Sequence, residues 1–287
     1  MTIDTGAAPQ SAADTPPRER YETLSVERAG GVVTITLDRP EKKNAINGRM
    51  WDDLEGVLAG IARSTTDRAV VLTGANGEFC SGADVSDMAP ARSGSEAPGG
   101  PPPMHQLGAM RRVGDICLAM YRLPQPTIAK VRGVAVGAGL NMALVCDLVV
   151  AGDTARFSEI FARRGLSLDF GGSWILPRRV GMHRAKELAL LADIIDAPTA
   201  AEMGLVNRVL PDAELDAFVD EWAARLAAGP PIALAMTKRL LNNSFNVTLE
   251  EALDDEGLSQ TVNFSTSDTA EAVRAFMDKR APTFHGR

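Results

Sequence analysis

Two glycine-rich segments that follow apolar, strand-like stretches constrain this chain more than any other feature of its sequence. The first contains FCSGAD at Phe79–Asp84, and the second is GVAVGAG at 133–139, which runs directly into an apolar, helix-like stretch. Small residues let a backbone amide come close to a ligand, and a helix N-terminus adds about half a positive charge there. Two such amides that converge would hold an oxygen that gains negative charge, as in the formation of an enolate from a carbonyl compound.

The order of strand, glycine-rich turn and helix recurs along the chain. Residues 31–40 alternate apolar and polar side chains as a strand does, and Asn47 is then placed to cap an amphipathic helix. Further predicted elements are strands at 68–73, 127–131 and 147–152 and a helix at 140–145. The recurrence predicts an α/β fold of stacked ββα units. A dinucleotide-binding fold is not expected, because GVAVGAG lacks the G-x-G-x-x-G spacing.

Composition divides the chain into three parts. Residues 1–20 are small, polar and proline-containing, which predicts a disordered tail. Residues 21–210 form the predicted core domain, interrupted at 89–103 by a Pro/Gly-rich stretch that is either a lid or a disordered insertion. Residues 211–287 carry helical patterns, two of them at 231–243 and 249–264, and are predicted to form a C-terminal helical subdomain, or an arm that packs on a neighbouring subunit.

Charge and hydropathy argue against several classes of function. The formal net charge is −7 without a basic block, which argues against nucleic-acid binding, although the local patch Arg39, Lys42 and Lys43 leaves a small phosphorylated ligand open. No apolar run approaches the roughly 18 residues of a membrane span. The three cysteines favour reduced, buried thiols in a cytoplasmic protein, and the three histidines have no ligand spacing, so no metal site is predicted.

Six motifs follow one another along nearly the whole chain, from about Tyr21 to Arg287. They are LDRPEKKNAIN, FCSGADVSDM, KVRGVAVGAGLNMALVCDLVVAG, GLSLDFGGSWILPRRVG, AAEMGLVNRVLP and AFMDKRAPTFHGR. In this order they resemble the crotonase (enoyl-CoA hydratase/isomerase) superfamily. The resemblance implies a ClpP-like spiral of ββα units, a homotrimer or dimer of trimers, and an acyl-CoA thioester as the substrate. It implies no separate cofactor, since CoA enters as part of the substrate.

The resemblance also implies which residues form the site. The oxyanion hole would consist of the backbone amides of Ala83 and Ala138. The residues implied or expected to bind substrate are Lys42, Ala45, Ser81, Gly82, Asp84, Gly137, Asn141 and Phe161. The turn from Lys42 to Ala45 and the SGAD loop would hold the CoA nucleotide. Asn141 would position the substrate or a water molecule, or else serve only packing or capping inside its helix, and Phe161 would line an acyl pocket.

The acid–base residues distinguish between reactions within this family. Hydratases of the family carry two glutamates at positions that are Asn141 and Phe161 here, and neither residue can act as a base. Asp169, within G-L-x-x-D-x-G-G-x-W-x-L-P-R, is similar to the branch of the 1,2-epoxyphenylacetyl-CoA and Δ3,Δ2-enoyl-CoA isomerases, where one carboxylate moves a proton between two carbons. Its neighbours Leu168 and Phe170 predict a raised pKa for Asp169. The alternative role for Asp169 is to cap the following helix.

The sequence therefore predicts an enoyl-CoA isomerase with Asp169 as its proton shuttle. Two alternatives remain open: an enoyl-CoA hydratase, and a catalytically silent acyl-CoA-binding protein. Glu159, the nearest other carboxylate, is predicted to be a surface or helix-start residue. Met142 and Trp174 are predicted to belong to the core.

Overall fold

The computed structural model describes residues 18–88 and 106–287, which are built around a mixed seven-stranded sheet. The strands in these ranges are β1 Arg18–Arg20, β2 Leu24–Ala29, β3 Val32–Leu37, β4 Ala69–Gly74, β5 Thr127–Val131, β6 Val134–Val136, β7 Leu148–Gly152, β8 Arg156–Ser158, β9 Ile195–Asp196 and β10 Arg208–Leu210. The large sheet has the order β1-β2-β3-β4-β5-β7-β10, antiparallel from β1 to β3 and parallel from β3 to β10. In a second, smaller sheet, β8 pairs with β6 in parallel and with β9 antiparallel.

Helices connect the parallel strands and cover both faces of the large sheet, as the predicted α/β fold requires. The helices in the described ranges are α1 Gly48–Arg63, α2 Gln106–Tyr121, α3 Ala138–Val145, α4 Gly172–Val180, α5 Met182–Leu191, α6 Ala197–Met203, α7 Asp212–Ala228, α8 Pro231–Asn243, α9 Leu249–Phe264 and α10 Ser267–Met277. Short 3-10 helices lie at Pro40–Lys42, Ala75–Gly77, Val85–Met88 and Ile160–Arg164.

The local patterns in the first unit produce the elements that they predict. Val33, Ile35 and Leu37 of β3 are buried in the main core, as their alternation requires. The Asn47 side chain accepts a hydrogen bond from the Met50 amide at 2.9 Å and so caps α1. The strand and the helix therefore follow from short-range signals.

Helix α7, the first helix after the predicted domain boundary at residue 211, packs on the large sheet. Helix α7 buries Leu215, Val219 and Ala223 against Val71 and Ile128 on the second face of the large sheet. Because this helix covers a face of the sheet that would otherwise be exposed to water, it belongs to the core. Helices α8, α9 and α10 bury at most two residues each, and the boundary of a helical subdomain stays a prediction.

The predicted tail at 1–20 also differs from the structure at its end. Arg18–Arg20 form β1, which pairs with β2 in the register Arg18 to Glu27. The Arg18 guanidinium forms an ion pair with Glu27 at 3.1 Å. These backbone and side-chain contacts order the last three residues of the segment, while residues 1–17 and the proposed lid or insertion at 89–103 lie outside the described residues.

Two further expectations concern cysteines and membranes. Cys80, Cys117 and Cys146 are free thiols in buried positions, as their sequence contexts predict. In the described part of the chain, no helix has both the length and the apolar character needed to cross a bilayer.

Candidate active site

The loop that follows β4 lies directly against β6 and the start of α3. The Cys80 amide donates to the Val134 carbonyl at 2.8 Å, and the Val136 amide donates to the Cys80 carbonyl at 3.0 Å. Gly139, in the first turn of α3, packs so closely that a Cβ atom there would lie 2.5 Å from the Cys80 carbonyl oxygen. The glycine therefore lets two segments that are distant in sequence come into backbone contact.

Replacing Gly139 by alanine is expected to destabilise the protein by about 1–3 kcal/mol, because a Cβ atom has no room beside Cys80. Gly60→Ala is the matched control: Gly60 is an exposed residue of α1 whose Cβ would meet no atom within 4 Å. That change should raise stability by about 0.5–1 kcal/mol. Urea denaturation of both variants measures the difference, and equal effects of the two changes would contradict the packing argument.

The backbone around Ala83 turns its amide away from the neighbouring strand-like segment. The Ile46 amide donates to the Gly82 carbonyl and the Asp84 amide donates to the Ile46 carbonyl, each at 2.8 Å. In such a parallel bridge the N–H of the intervening residue, Ala83, points in the opposite direction. Gly82 has a φ of +92°, and a Cβ atom there would lie 3.8 Å from the Ala138 amide nitrogen.

Ala138 supplies a second amide at the N-terminus of α3. It is the first residue of the helix, so no carbonyl four residues earlier within the helix can accept its hydrogen bond. The preceding Gly137 has a φ of +55° and no side chain that could cap the helix. Ala83 and Ala138 line two adjoining cavities of about 400 and 500 Å³, and Asp169 lines both of them as well.

Asp169 lies in the loop between the 3-10 helix Ile160–Arg164 and α4. Its Oδ1 atom is buried and has no hydrogen-bond partner among the described residues, and burial raises the pKa of this carboxyl to about 6. The capping alternative is wrong for the side chain: the N-cap of α4 is Gly171, and the Gly172 amide donates to the backbone carbonyl of Asp169 at 2.9 Å. The predicted raised pKa is confirmed, and its cause is desolvation.

Asn141 lies directly behind Asp169 and is fully buried. Its Nδ2 atom donates to the Asp169 backbone carbonyl at 3.0 Å and contacts Glu159 Oε2 at 3.5 Å. A Cβ atom on Gly172 would lie 2.4 Å from this nitrogen. Asn141 therefore supports the loop that carries Asp169, while its contact with substrate stays a prediction.

Glu159 is the residue that sequence reasoning misplaced. The side chain is fully buried, and burial, followed by the nearby charge of Asp169, raises its pKa to about 8. The expectation of a surface position was wrong, since Glu159 is buried, whereas the expectation of a helix start is confirmed, since Glu159 is the N-cap of the 3-10 helix Ile160–Arg164. The sequence signal was limited to the position of Glu159 between two large apolar residues, Phe157 and Phe161.

The predicted CoA-binding segments contact each other. Ser81 Oγ donates to the Lys42 carbonyl at 3.0 Å. The Arg39 guanidinium donates to the Ala45 carbonyl at 2.6 Å and forms an ion pair with Asp84 at 3.0 Å. The Asp84 side chain thus joins the two segments, and its binding to substrate stays a prediction.

The basic patch seen in the sequence is largely neutralised by neighbouring carboxylates. Arg39 pairs with Asp84, and Lys43 pairs with Glu78 at 2.8 Å. The side chain of Lys42 is exposed to solvent. Lys42 is therefore the cation of the patch that is best placed for an anionic group.

The prediction that Phe161 lines an acyl pocket concerns the cavity of about 500 Å³. Phe161 lines it together with Gly82, Gly137 and the apolar side chains of Ile160 and Leu166. Phe161 thus lies on the cavity wall, as expected for a residue that lines an acyl pocket.

The two core predictions have different outcomes. Met142 is fully buried in the main core. Trp174 is only partly buried: its ring meets Tyr121 edge to face, and the Arg178 guanidinium lies 3.7 Å from its centroid.

Comparison with known proteins agrees with this arrangement. The profile of the enoyl-CoA hydratase/isomerase family matches residues 27–287, and the chain belongs to that family. The fold is accordingly that of the crotonase enzymes, as the six ordered motifs predict.

Individual relatives cover almost the whole chain. It is 40% identical to the probable enoyl-CoA hydratase of Rhodobacter capsulatus, over 93% of this chain and 99% of that protein. It is 37% identical to the 1,2-epoxyphenylacetyl-CoA isomerase of Escherichia coli K12, over 90% of this chain and 96% of that protein. The crystal structure of an enoyl-CoA hydratase from Bacillus anthracis superposes with a TM-score of 0.85 at 30% identity, over 93% of this chain and 100% of that one. The crystal structure of an enoyl-CoA hydratase/isomerase from Cupriavidus metallidurans CH34 superposes with a TM-score of 0.84 at 32% identity, over 93% of this chain and 98% of that one.

Proposed function

We propose that this protein is an enoyl-CoA isomerase that moves a carbon–carbon double bond of an acyl-CoA from the Δ3 to the Δ2 position. The observation that carries the proposal is that one carboxylate, Asp169, lines the same two cavities as Ala83 and Ala138. A base and two amides at one place are what the formation and reprotonation of a thioester enolate require.

The proposed reaction needs one proton acceptor. Asp169 takes a proton from C2 of the 3-enoyl thioester, and the electron pair of that C–H bond delocalises onto the thioester oxygen to form a dienolate. The amides of Ala83 and Ala138 donate hydrogen bonds to this oxygen while it is negative. The neutral Asp169 then returns the proton to C4, which leaves the double bond between C2 and C3 and regenerates the carboxylate.

The electrostatics of the site support this role for Asp169. A pKa of about 6 leaves the carboxyl ionised at neutral pH but makes it a stronger base than an exposed aspartate. The residues at the two hydratase glutamate positions, Asn141 and Phe161, are a buried amide and a buried phenyl ring, and neither exchanges protons at neutral pH.

Hydration is the second candidate function, and two observations favour it. The Rhodobacter capsulatus relative is named as a probable hydratase, and buried Glu159 places a second carboxyl close to Asp169. Two carboxyl groups are the number that addition of water across a double bond uses in the hydratases that this chain resembles.

The remaining predicted roles belong to the same proposal. Lys42, Ala45, Ser81 and Asp84 would bind the CoA nucleotide at the junction of the two segments that they join. In addition, several apolar side chains of the C-terminal helices are exposed, namely Leu253, Leu258, Phe264, Phe276 and Met277. Such a surface supports self-association as a homotrimer or dimer of trimers, and the free, buried thiols fit a reducing cytoplasm.

Incubation of the protein with a 3-enoyl-CoA tests the proposal. We expect the absorbance of the conjugated 2-enoyl thioester to rise while the product mass stays equal to that of the substrate. A mass gain of one water would make the protein a hydratase. CoA-ester binding without any change in spectrum or mass, also with 1,2-epoxyphenylacetyl-CoA as the substrate, would leave a catalytically silent acyl-CoA binder.

A further inference from the structure

Three polar side chains form a buried cluster behind the proposed base. Glu159 Oε1, Asn141 Oδ1 and Asp169 Oδ1 are each buried and have no hydrogen-bond partner among the described residues. All three atoms are acceptors when both carboxyl groups are ionised. Buried acceptors without a donor are costly, so a donor within this cluster would stabilise it.

Asn141 links the two carboxyl groups. Its Nδ2 atom donates to the Asp169 backbone carbonyl at 3.0 Å and lies 3.5 Å from Glu159 Oε2. Both contacts use the nitrogen of the amide, so the oxygen of Asn141 remains for a donor. A proton on Glu159 provides such a donor, whereas an ionised Glu159 leaves all three acceptors unsatisfied and adds a second negative charge.

Among the described residues, no positive charge contributes to the pKa of Glu159. On the adjoining 3-10 helix, Arg163 and Arg164 are exposed; Arg163 pairs with Asp193 at 2.6 Å, and Arg164 lines the cavity of about 500 Å³. Cys117 of α2 is a buried thiol whose pKa is raised to about 11 by burial and by Asp169, so it is neutral. The charged side chains of α5 and α6 are exposed.

The two arginines of α4 also have other contacts. Arg178 stacks on Trp174, and Arg179 reaches the carbonyls of Leu144 and Cys146 at the end of α3. Among the described residues, Asp169 is therefore the titratable group whose charge raises the pKa of Glu159.

We propose that Glu159 is a positioning residue that is held in its protonated form. It donates a hydrogen bond within the buried cluster that it shares with Asn141, and it leaves Asp169 as the single negative charge beside the substrate. The inference rests on the proposed function, in which Asp169 is the base. Ionisation of Glu159 would place a second negative charge next to the Asp169 carboxylate and to the enolate, and would disfavour both.

The first test, Glu159→Gln, does not depend on activity. Glutamine keeps the shape of the side chain and stays neutral. Because the pKa of Glu159 is raised from 4.5 to about 8, the folded protein retains a proton that the unfolded chain loses above its own pKa. Wild-type stability therefore falls as pH rises from about 5 to 8, and the glutamine variant lacks this loss.

The melting temperature of Glu159→Gln, relative to wild type, should thus increase progressively between pH 5 and 8 and then level off. Glu187→Gln, which removes an exposed carboxylate of α5, is the control and should give no such trend. A difference that is constant across this range would mean that Glu159 holds no proton, and would overturn the proposal.

The second test uses turnover of the 3-enoyl-CoA. In wild type, kcat should rise through about pH 6 as Asp169 ionises and fall above about pH 8 as Glu159 ionises. Glu159→Gln should keep kcat at pH 7 within about threefold and abolish the fall above pH 8, whereas Glu159→Ala should lower kcat at pH 7. Persistence of the alkaline fall in the glutamine variant, or loss of turnover at every pH, would contradict a positioning role. If wild type has no isomerase activity, the proposed function fails, and the melting temperatures still decide the state of Glu159.

Discussion

Asp169→Asn is expected to abolish double-bond isomerisation while leaving the binding of CoA esters intact. Asparagine keeps the size of the side chain and its place on the wall of both cavities, but its amide accepts no proton at neutral pH. Loss of a positioned acid–base group typically lowers the rate by about 10²–10⁴-fold. Since the same carboxyl acts in both half-reactions, we expect kcat to fall by at least about 10³-fold.

The measurement is kcat on a 3-enoyl-CoA together with the dissociation constant of a saturated acyl-CoA. Asp220→Asn, which neutralises an exposed aspartate of α7, controls for the change in net charge and should leave both values unchanged. An Asp169→Asn protein that retains more than a tenth of wild-type kcat would show that another group removes the proton, and Glu159 would be the next residue to replace.

The second large effect is expected for Ala138→Pro, which removes one of the two proposed oxyanion donors. Ala138 is the first residue of α3, a position where proline fits a helix and where its missing N–H breaks no helical hydrogen bond. Removal of one such donor costs about 3–4 kcal/mol, or about 10²–10³-fold in kcat. The proline ring also replaces the amide hydrogen with carbon, so KM should rise as well.

Ala138→Gly is the matched control, because it shortens the same side chain but keeps the amide. Its kcat should remain within a few-fold of wild type, and circular dichroism and thermal melting of both variants separate loss of the donor from loss of the fold. If the proline and glycine variants have the same kcat, the Ala138 amide does not stabilise the transition state.

Much of the architecture could be predicted from local patterns. The alternation in β3 and the cap at Asn47 depend on residues within one turn or one strand, so they are readable without knowledge of the partner elements. The same holds for the limits of α8 and α9, which agree with the predicted helices at 231–243 and 249–264. The pair of amide-bearing loops was predictable because glycines mark the places where backbone segments approach closely, as Gly139 does at Cys80.

Features that depend on what covers a segment were not predictable in this way. The helical pattern of α7 identifies an apolar face, but only the tertiary structure places that face against the sheet and so moves the helix into the core. Whether the side chain of Asp169 caps α4 depended on the geometry of the turn at Gly171, where the backbone carbonyl of Asp169 takes the hydrogen bond instead.

The sequence by itself determined the family and the α/β fold, and it predicted Asp169 as the proton shuttle, because periodicity, glycine positions and ordered motifs are properties of neighbouring residues. The tertiary structure alone decided that Glu159 is buried beside Asn141 and Asp169. Burial, and with it the pKa of a carboxyl group, is set by residues that are distant in sequence and close in space.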